Sequence, residues 1–238
     1  FPRCGVNGVV VSETVRRHVT NAGYLSYLAF LAIVALGVSR FNRPASMWPS
    51  LVAVLAIIAG SAPIGPEFSS GTLQLILVKP VKRWVYLLSR VAGVVLAVSI
   101  AAIVGGVFEL AGRLAWGEVL AAPEIARATL NCFADATLTA SLLVLLGSLT
   151  RAYFNAAIYL GTQFALGGTM AVFGMLRASG RDFSAIERGL AMVDNALFPE
   201  FPPRFDASWL TLVLLEAAIA LTLACVAFRA REVPYGGD

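Results

Sequence analysis

Six stretches of the chain, 20–38, 47–64, 84–110, 130–149, 152–175 and 209–228, are apolar almost from end to end. Each offers close to the ~20 apolar residues that a helix needs to cross the hydrocarbon of a bilayer. None shows the short apolar–polar alternation of a membrane barrel. The pattern predicts an all-α, polytopic membrane protein with six transmembrane helices, organised as a single domain over 1–238.

Between these stretches the polar positions fall on one face of shorter helices. In 10–19, Val11, Val15 and Val19 recur every fourth residue with Arg16 and Arg17 beside them, which predicts an amino-terminal interfacial helix. In the long loop 177–207, Ser184 and Glu187 have capping-box spacing. Ile186, Leu190, Val193 and Leu197 then share one face, which predicts an external amphipathic helix, surface-lying or re-entrant, ended by Pro199, Pro202 and Pro203. The segment 67–83 is short, basic and amphipathic, with Leu73, Leu75, Ile76 and Leu77 before Pro80. It reads as a short helix at a membrane surface. Pro49 and Pro63 bracket the second crossing and predict a kinked or short helix.

Composition sharpens this picture. Of 238 residues, 58% are hydrophobic and 13% charged, and the mean hydropathy of +0.80 excludes a soluble domain of this length. Trp48, Trp84, Trp116 and Trp209 all stand at or just beyond the ends of apolar runs, as interfacial belts do. Cys4, Cys132 and Cys225 are far apart and lack CxxC spacing, so they point to neither a disulfide framework nor a metal cluster. His18 is the only histidine and reads as a polar-face residue. No cleavable leader is recognisable before the first apolar run.

Orientation follows from the basic residues. With the amino terminus inside, Arg3, Arg16, Arg17, Lys79, Lys82, Arg83, Arg90, Arg151, Arg229 and Arg231 are cytoplasmic, clustered at helix ends where the positive-inside effect acts. The other eight Lys/Arg positions are interleaved with acids, and four of them lie in the 177–207 loop. The net charge of +4 suits anionic lipid headgroups, and no aromatic-interleaved basic array for nucleic acid is present. The chain is expected in the plasma (inner) membrane of a prokaryote with both termini cytoplasmic.

Motifs for chemistry are missing. There is no Gly-x-x-x-x-Gly-Lys-Ser/Thr, no HExxH and no Gly-x-Ser-x-Gly, so neither nucleotide hydrolysis nor other catalysis is expected of this chain, and no metal site. Asp135 and Glu216 lie inside apolar runs, where a carboxylate costs at least about 2.5 kcal/mol to insert. Asn131, Asp135 and Thr139 form a polar stripe, and with Glu216 they are the candidates for a translocation pathway, or for anchoring the external loop through Arg113, Arg127 or Arg204. The alternative is a carboxyl that only packs. Asn155 and Gln163 read first as interhelical hydrogen-bonding residues. Gly93, Ala97, Ala101 and Gly105 form a stripe of small residues, and Ala157, Gly161, Ala165 and Gly168 another, suited to packing within the subunit or to a dimer seam.

The segment 67–83 also carries a resemblance. Glu67, then Gly71-Thr72-Leu73, then Pro80-Val81 and Arg83, is similar to the loop between the second and third helices of type-2 ABC transporter permeases, with apolar runs on both sides. Arg90 stands where that family often has Lys. The resemblance implies a membrane-spanning permease subunit of an ATP-driven, export-type transporter. The amino-terminal helix would be its elbow helix, and 67–83 its cytoplasmic coupling helix. Glu67, Gly71, Thr72, Pro80, Lys82 and Arg83 would dock on a separate ATP-binding cassette ATPase subunit that holds ATP and Mg, with no cofactor on this chain. A second permease copy or a paralogue would complete the pore. A structural subunit that keeps the permease fold and only anchors a larger complex is the alternative; the cargo is not legible.

Overall fold

Away from water, a stretch of chain must satisfy every backbone N–H and C=O internally, and a helix does so within one segment. In the computed structural model the described residues are 6–38, 48–61, 83–117, 122–150, 154–178, 184–198 and 207–230. Among them all regular elements are α-helices: α1 (Gly8–Val19), α2 (Ala22–Val38), α3 (Trp48–Ser61), α4 (Arg83–Ala115), α5 (Ala122–Leu149), α6 (Phe154–Ala178), α7 (Ser184–Leu197) and α8 (Ala207–Ala230). Helices α4, α5, α6 and α8 are long and apolar enough to cross a membrane, and a fifth span results if α1 and α2, bent by 68° at Thr20–Asn21, count as one. The protein is a multi-pass, helical membrane protein.

Local chemistry explains the boundaries. Asn7 caps α1, its side chain accepting from the Val9 amide at 3.0 Å. The Asn21 side chain accepts from the Gly23 amide at 2.8 Å and so starts α2 in a new direction. Helix α4 ends where Gly117 takes φ +81°, a left-handed conformation that suits glycine. Helix α3 starts at Trp48-Pro49, where proline lacks only an amide that the first turn leaves unpaired, and it is indeed short at 14 residues.

Helix α4, about 50 Å long by its 33 residues, is the axis of the bundle. Helices α1, α2, α3, α5 and α8 all pack on it. Its small-residue stripe is used inside the subunit. A β-carbon added at Gly93 would sit 2.5 Å from Thr14 Cβ, and one added at Gly105 would lie 2.6 Å from the Trp48 ring. Ala97 accepts a 2.5 Å hydrogen bond from the Tyr24 hydroxyl, and Ala101 is buried with Tyr24 and Leu55. The α6 stripe is different: nothing lies within 4 Å of a β-carbon added at Gly161 or Gly168, and most of the helix is exposed.

The contacts sort the helix ends into two groups. Helix α1, the start of α4, the end of α3, the end of α5 and the start of α6 meet at one end, through Thr14 against Gly93, Gly60 against Leu143, and Asn155 with Ser61. The end of α8 joins them, since Leu221, Cys225 and Val226 line one cleft with Trp84 and Leu88. The start of α3, the end of α4 and the start of α5 meet at the other, through Trp48 against Gly105 and Thr129 against Gly106. Helix α7 packs on α6. Glu187 meets Arg177 at 3.5 Å and Phe198 meets the Tyr159 ring at 5.1 Å, so α7 turns back along α6 toward the middle of the bundle.

Two expectations need correction. Trp48 is 1% exposed, not part of an interfacial belt, because its ring fills the space that Gly105 leaves and its N–H has a buried acceptor. The fourth apolar run is the inner part of a longer helix, since Glu124 and Arg127 continue it outward from Leu130.

Candidate functional site

The sequence points to three places. The first is the segment 67–83. Glu67, Gly71, Thr72, Pro80 and Lys82 lie outside the described residues, while Arg83 opens α4. What the structure adds is the seat of α1 on the turns of α4 that follow. The Asn7 amide donates to Ser89 Oγ at 2.8 Å. Arg90 donates from Nη1 to Thr14 Oγ1 and from Nε to the Tyr86 hydroxyl, each at 3.0 Å, with its guanidinium 5.4 Å from the Tyr86 ring centroid. Thr14 and Arg90 are both buried. On the outer face of α1, Arg16 and Arg17 both bond Glu13, and the Arg17 hydrogen bond together with the two positive charges holds that exposed carboxyl below the usual glutamate range.

The second place is the polar stripe of α5. Thr139 is buried, its hydroxyl 3.3 Å from the Tyr159 hydroxyl of α6, and the Tyr159 ring stacks edge-on against Phe198. Asp135 lies one turn from Thr139 on the same helix and is half-buried. Asn131 is half-buried on the same helix. The stripe thus faces the α5–α6 seam, with the end of α7 brought in beside it. Gln163 is exposed on α6, while Asn155 donates to the carbonyls of Ser61 and Leu143, each at 3.2 Å, and ties α6 to α3 and α5.

Glu216, the third, is not part of that cluster. It lies on α8, half-buried, with Oε2 enclosed and without a hydrogen-bond partner among the described residues. It shares a helix face with Val213 and Ala217, which pack on Ala134 and Leu138 of α5. Among the described residues no Lys or Arg is ion-paired with Asp135 or Glu216, and no group of three His, Cys, Asp or Glu is placed to hold a metal.

Sequence reasoning missed a fourth place. Glu109 and Arg113 of α4 form a 2.7 Å ion pair with side chains 3% and 7% exposed, and the Trp48 N–H donates to the second Glu109 oxygen. Arg113, considered above as an anchor for the external loop, is thus drawn inward to Glu109. The available signal was the i,i+4 spacing of Glu and Arg, which lets one helix bury both charges as a pair. The pair pins the start of α3 to the end of α4.

Neither models of known protein families nor curated protein sequences match this chain.

Proposed function

We propose that the chain is the permease subunit of an ATP-driven, export-type ABC transporter, with six crossings formed by α2, α3, α4, α5, α6 and α8, and with both termini on the cytoplasmic side. One observation carries the reading: α1 is hydrogen-bonded through buried groups onto the first turns of the very helix that the segment 67–83 enters. A push on that segment, delivered by closure of a separate ATPase, therefore moves α1 and α4 as one body. Because α4 touches most of the bundle, its tilt changes the packing of α2, α3, α5 and α8 together. Two further features fit. The segment's motif resembles a permease coupling helix, and the helix between the last two crossings turns back along α6.

In this reading the Asp135–Thr139–Tyr159 cluster and Glu216 are the polar groups beside the moving path. A carboxylate at that depth is costly unless it has polar partners or water. The exposed face of α6 is where a second permease copy or a paralogue joins.

The test is purification in mild detergent followed by identification of the co-purifying chains. A Walker-type ATPase is expected, and Gly71→Trp is expected to weaken its retention and alter its ATP hydrolysis. Cysteines placed at Lys79 and Lys82 are expected to react with impermeant reagents only from the cytoplasmic side. Labelling from outside, or absence of any ATPase, sinks the proposal. An ATPase that stays bound while no solute moves favours a scaffolding subunit.

A further inference from the structure

Asp135 stands near the midpoint of α5, about 20 Å from either end of the helix at its rise per residue. A carboxylate at that depth needs a countercharge or polar partners. The described helices around it supply no countercharge. Arg127, the one basic residue of α5, is two turns away; α6 carries none before Arg177, and α8 none between Ser208 and Phe228. Arg90 of α4 is bonded to Thr14 and Tyr86, and Arg113 of α4 to Glu109. Arg177 reaches Glu187, and the exposed Arg188 belongs to that same end of α7.

What lies beside Asp135 is hydroxyl oxygen and aromatic surface. The Thr139 hydroxyl is 3.3 Å from the Tyr159 hydroxyl, and the two residues are 2% and 7% exposed. The Asp135 charge is near enough to act on the Tyr159 hydroxyl. Two hydroxyls that meet in one contact share one hydrogen, so each oxygen keeps a lone pair for an N–H donor. The Tyr159 ring packs edge-on against Phe198, with centroids 5.1 Å apart and planes at 77°. The Phe198 amide donates to the Asp194 carbonyl at 2.7 Å, so α7 brings a second carboxylate within a turn of the ring pair. Among the described residues Asp194, like Asp135, makes no ion pair. Both acids are half-buried, which leaves the cluster open to an occupant.

We propose that Asp135, with the hydroxyls of Thr139 and Tyr159, binds the ammonium group of an amphiphilic primary amine whose apolar body rests against Tyr159 and Phe198. An alkylammonium offers three N–H donors and one positive charge, matched here by one carboxylate and two hydroxyl oxygens. Charge-assisted hydrogen bonds of this kind are about twice as strong as neutral ones, and an aromatic face attracts a cation within ~6 Å of its centroid. A neutral amphiphile suits the rings equally well but leaves the carboxylate uncompensated. A divalent metal asks for about six oxygen ligands, more than this cluster provides. The site is the polar cluster placed above beside the moving path, and its ligand class rests on that reading, although binding itself requires neither nucleotide nor partner.

The full-length chain in mild detergent is titrated with dansylcadaverine, a fluorescent primary amine, and in parallel with N-pentyl dansylamide, which lacks the amino group; protein-free micelles are subtracted. Wild type is expected to bind the amine roughly tenfold or more tightly than the neutral probe, a ratio equivalent to ~1.4 kcal/mol. Asp135→Asn is expected to abolish that preference and Asp135→Glu to keep most of it. Tyr159→Phe, which retains the ring, is expected to lower amine affinity roughly tenfold while sparing the neutral probe. Equal affinity of wild type for the two probes, or an undiminished preference in Asp135→Asn, overturns the proposal; should Asp135→Asn fail to fold, an undiminished preference in Tyr159→Phe does so. Co-purification of an ATPase is read separately, so loss of the amine preference and loss of the transport reading are distinguishable.

Discussion

Arg90 of α4 reaches Thr14 of α1 across a buried 3.0 Å hydrogen bond while its Nε reaches the Tyr86 hydroxyl at the same distance. A guanidinium can serve both directions because its donors are fixed in a plane; an ammonium is a single point. Arg90→Lys is therefore expected to cost about 1–3 kcal/mol, as a buried acceptor or donor is left unmade. Thr14→Val is expected to cost a similar amount, and the double variant less than the sum of the two. Thermal unfolding in detergent, run as a double-mutant cycle, reads the coupling.

The Glu109–Arg113 pair should behave as a unit. Glu109→Gln removes the carboxylate charge that faces the buried Arg113 guanidinium, for which about 3–5 kcal/mol is the expected cost. Glu109→Leu/Arg113→Leu removes both charges and should be milder than either single loss. Trp48→Phe removes the indole donor and shrinks the ring that packs beside Gly105, at about 1–3 kcal/mol or more. A double variant less stable than Glu109→Gln would refute the assignment of the pair as a neutralised buried unit.

The two small-residue stripes should respond oppositely to bulk. Gly93→Ile and Gly105→Ile force side chains against Thr14 and Trp48, with an overpacking cost of about 1–3 kcal/mol or more. Gly161→Ile and Gly168→Ile meet open space within the subunit and should leave its own stability unchanged within about 0.5 kcal/mol. If the α6 variants also lower the oligomeric state, measured by light scattering with detergent subtracted, the α6 face is the seam between copies.

Glu13 should titrate below an ordinary glutamate, since the Arg17 hydrogen bond favours its charged form. Its contribution to α1 is thus present above the ordinary glutamate value and is lost as pH falls through the lowered one. Carbon-13 labelling of the Glu13 carboxyl gives the midpoint directly. Arg17→Gln should move that midpoint back up; an unchanged midpoint would show that the contact is not populated in solution.

Much of the helical plan was legible because long apolar runs leave the backbone few choices, and because Pro49 acts locally, whereas the start at Asn7 and the stop at Gly117 went unread. The seat of α1 was legible only by half. Valine spacing and basic residues marked an interfacial helix, but the buried face turns on Thr14, whose side chain reads as polar until Gly93 and Arg90 are seen beside it. Trp48 was misread for a related reason. An indole at the end of an apolar run suits an interface equally well, and its burial depends on Gly105 and Glu109, more than fifty residues away. Asp135 and Thr139 share a face by spacing alone, yet Tyr159, which completes their cluster, carries no signal in its own helix.

The brevity of α3 has a consequence for the surrounding lipid. Fourteen residues span about 21 Å, some 9 Å less than a typical hydrocarbon core of ~30 Å. If α3 is one of the crossings proposed above, a bilayer touching it pinches locally or draws its headgroups inward, and lengthening the acyl chains of host vesicles then progressively strains the protein.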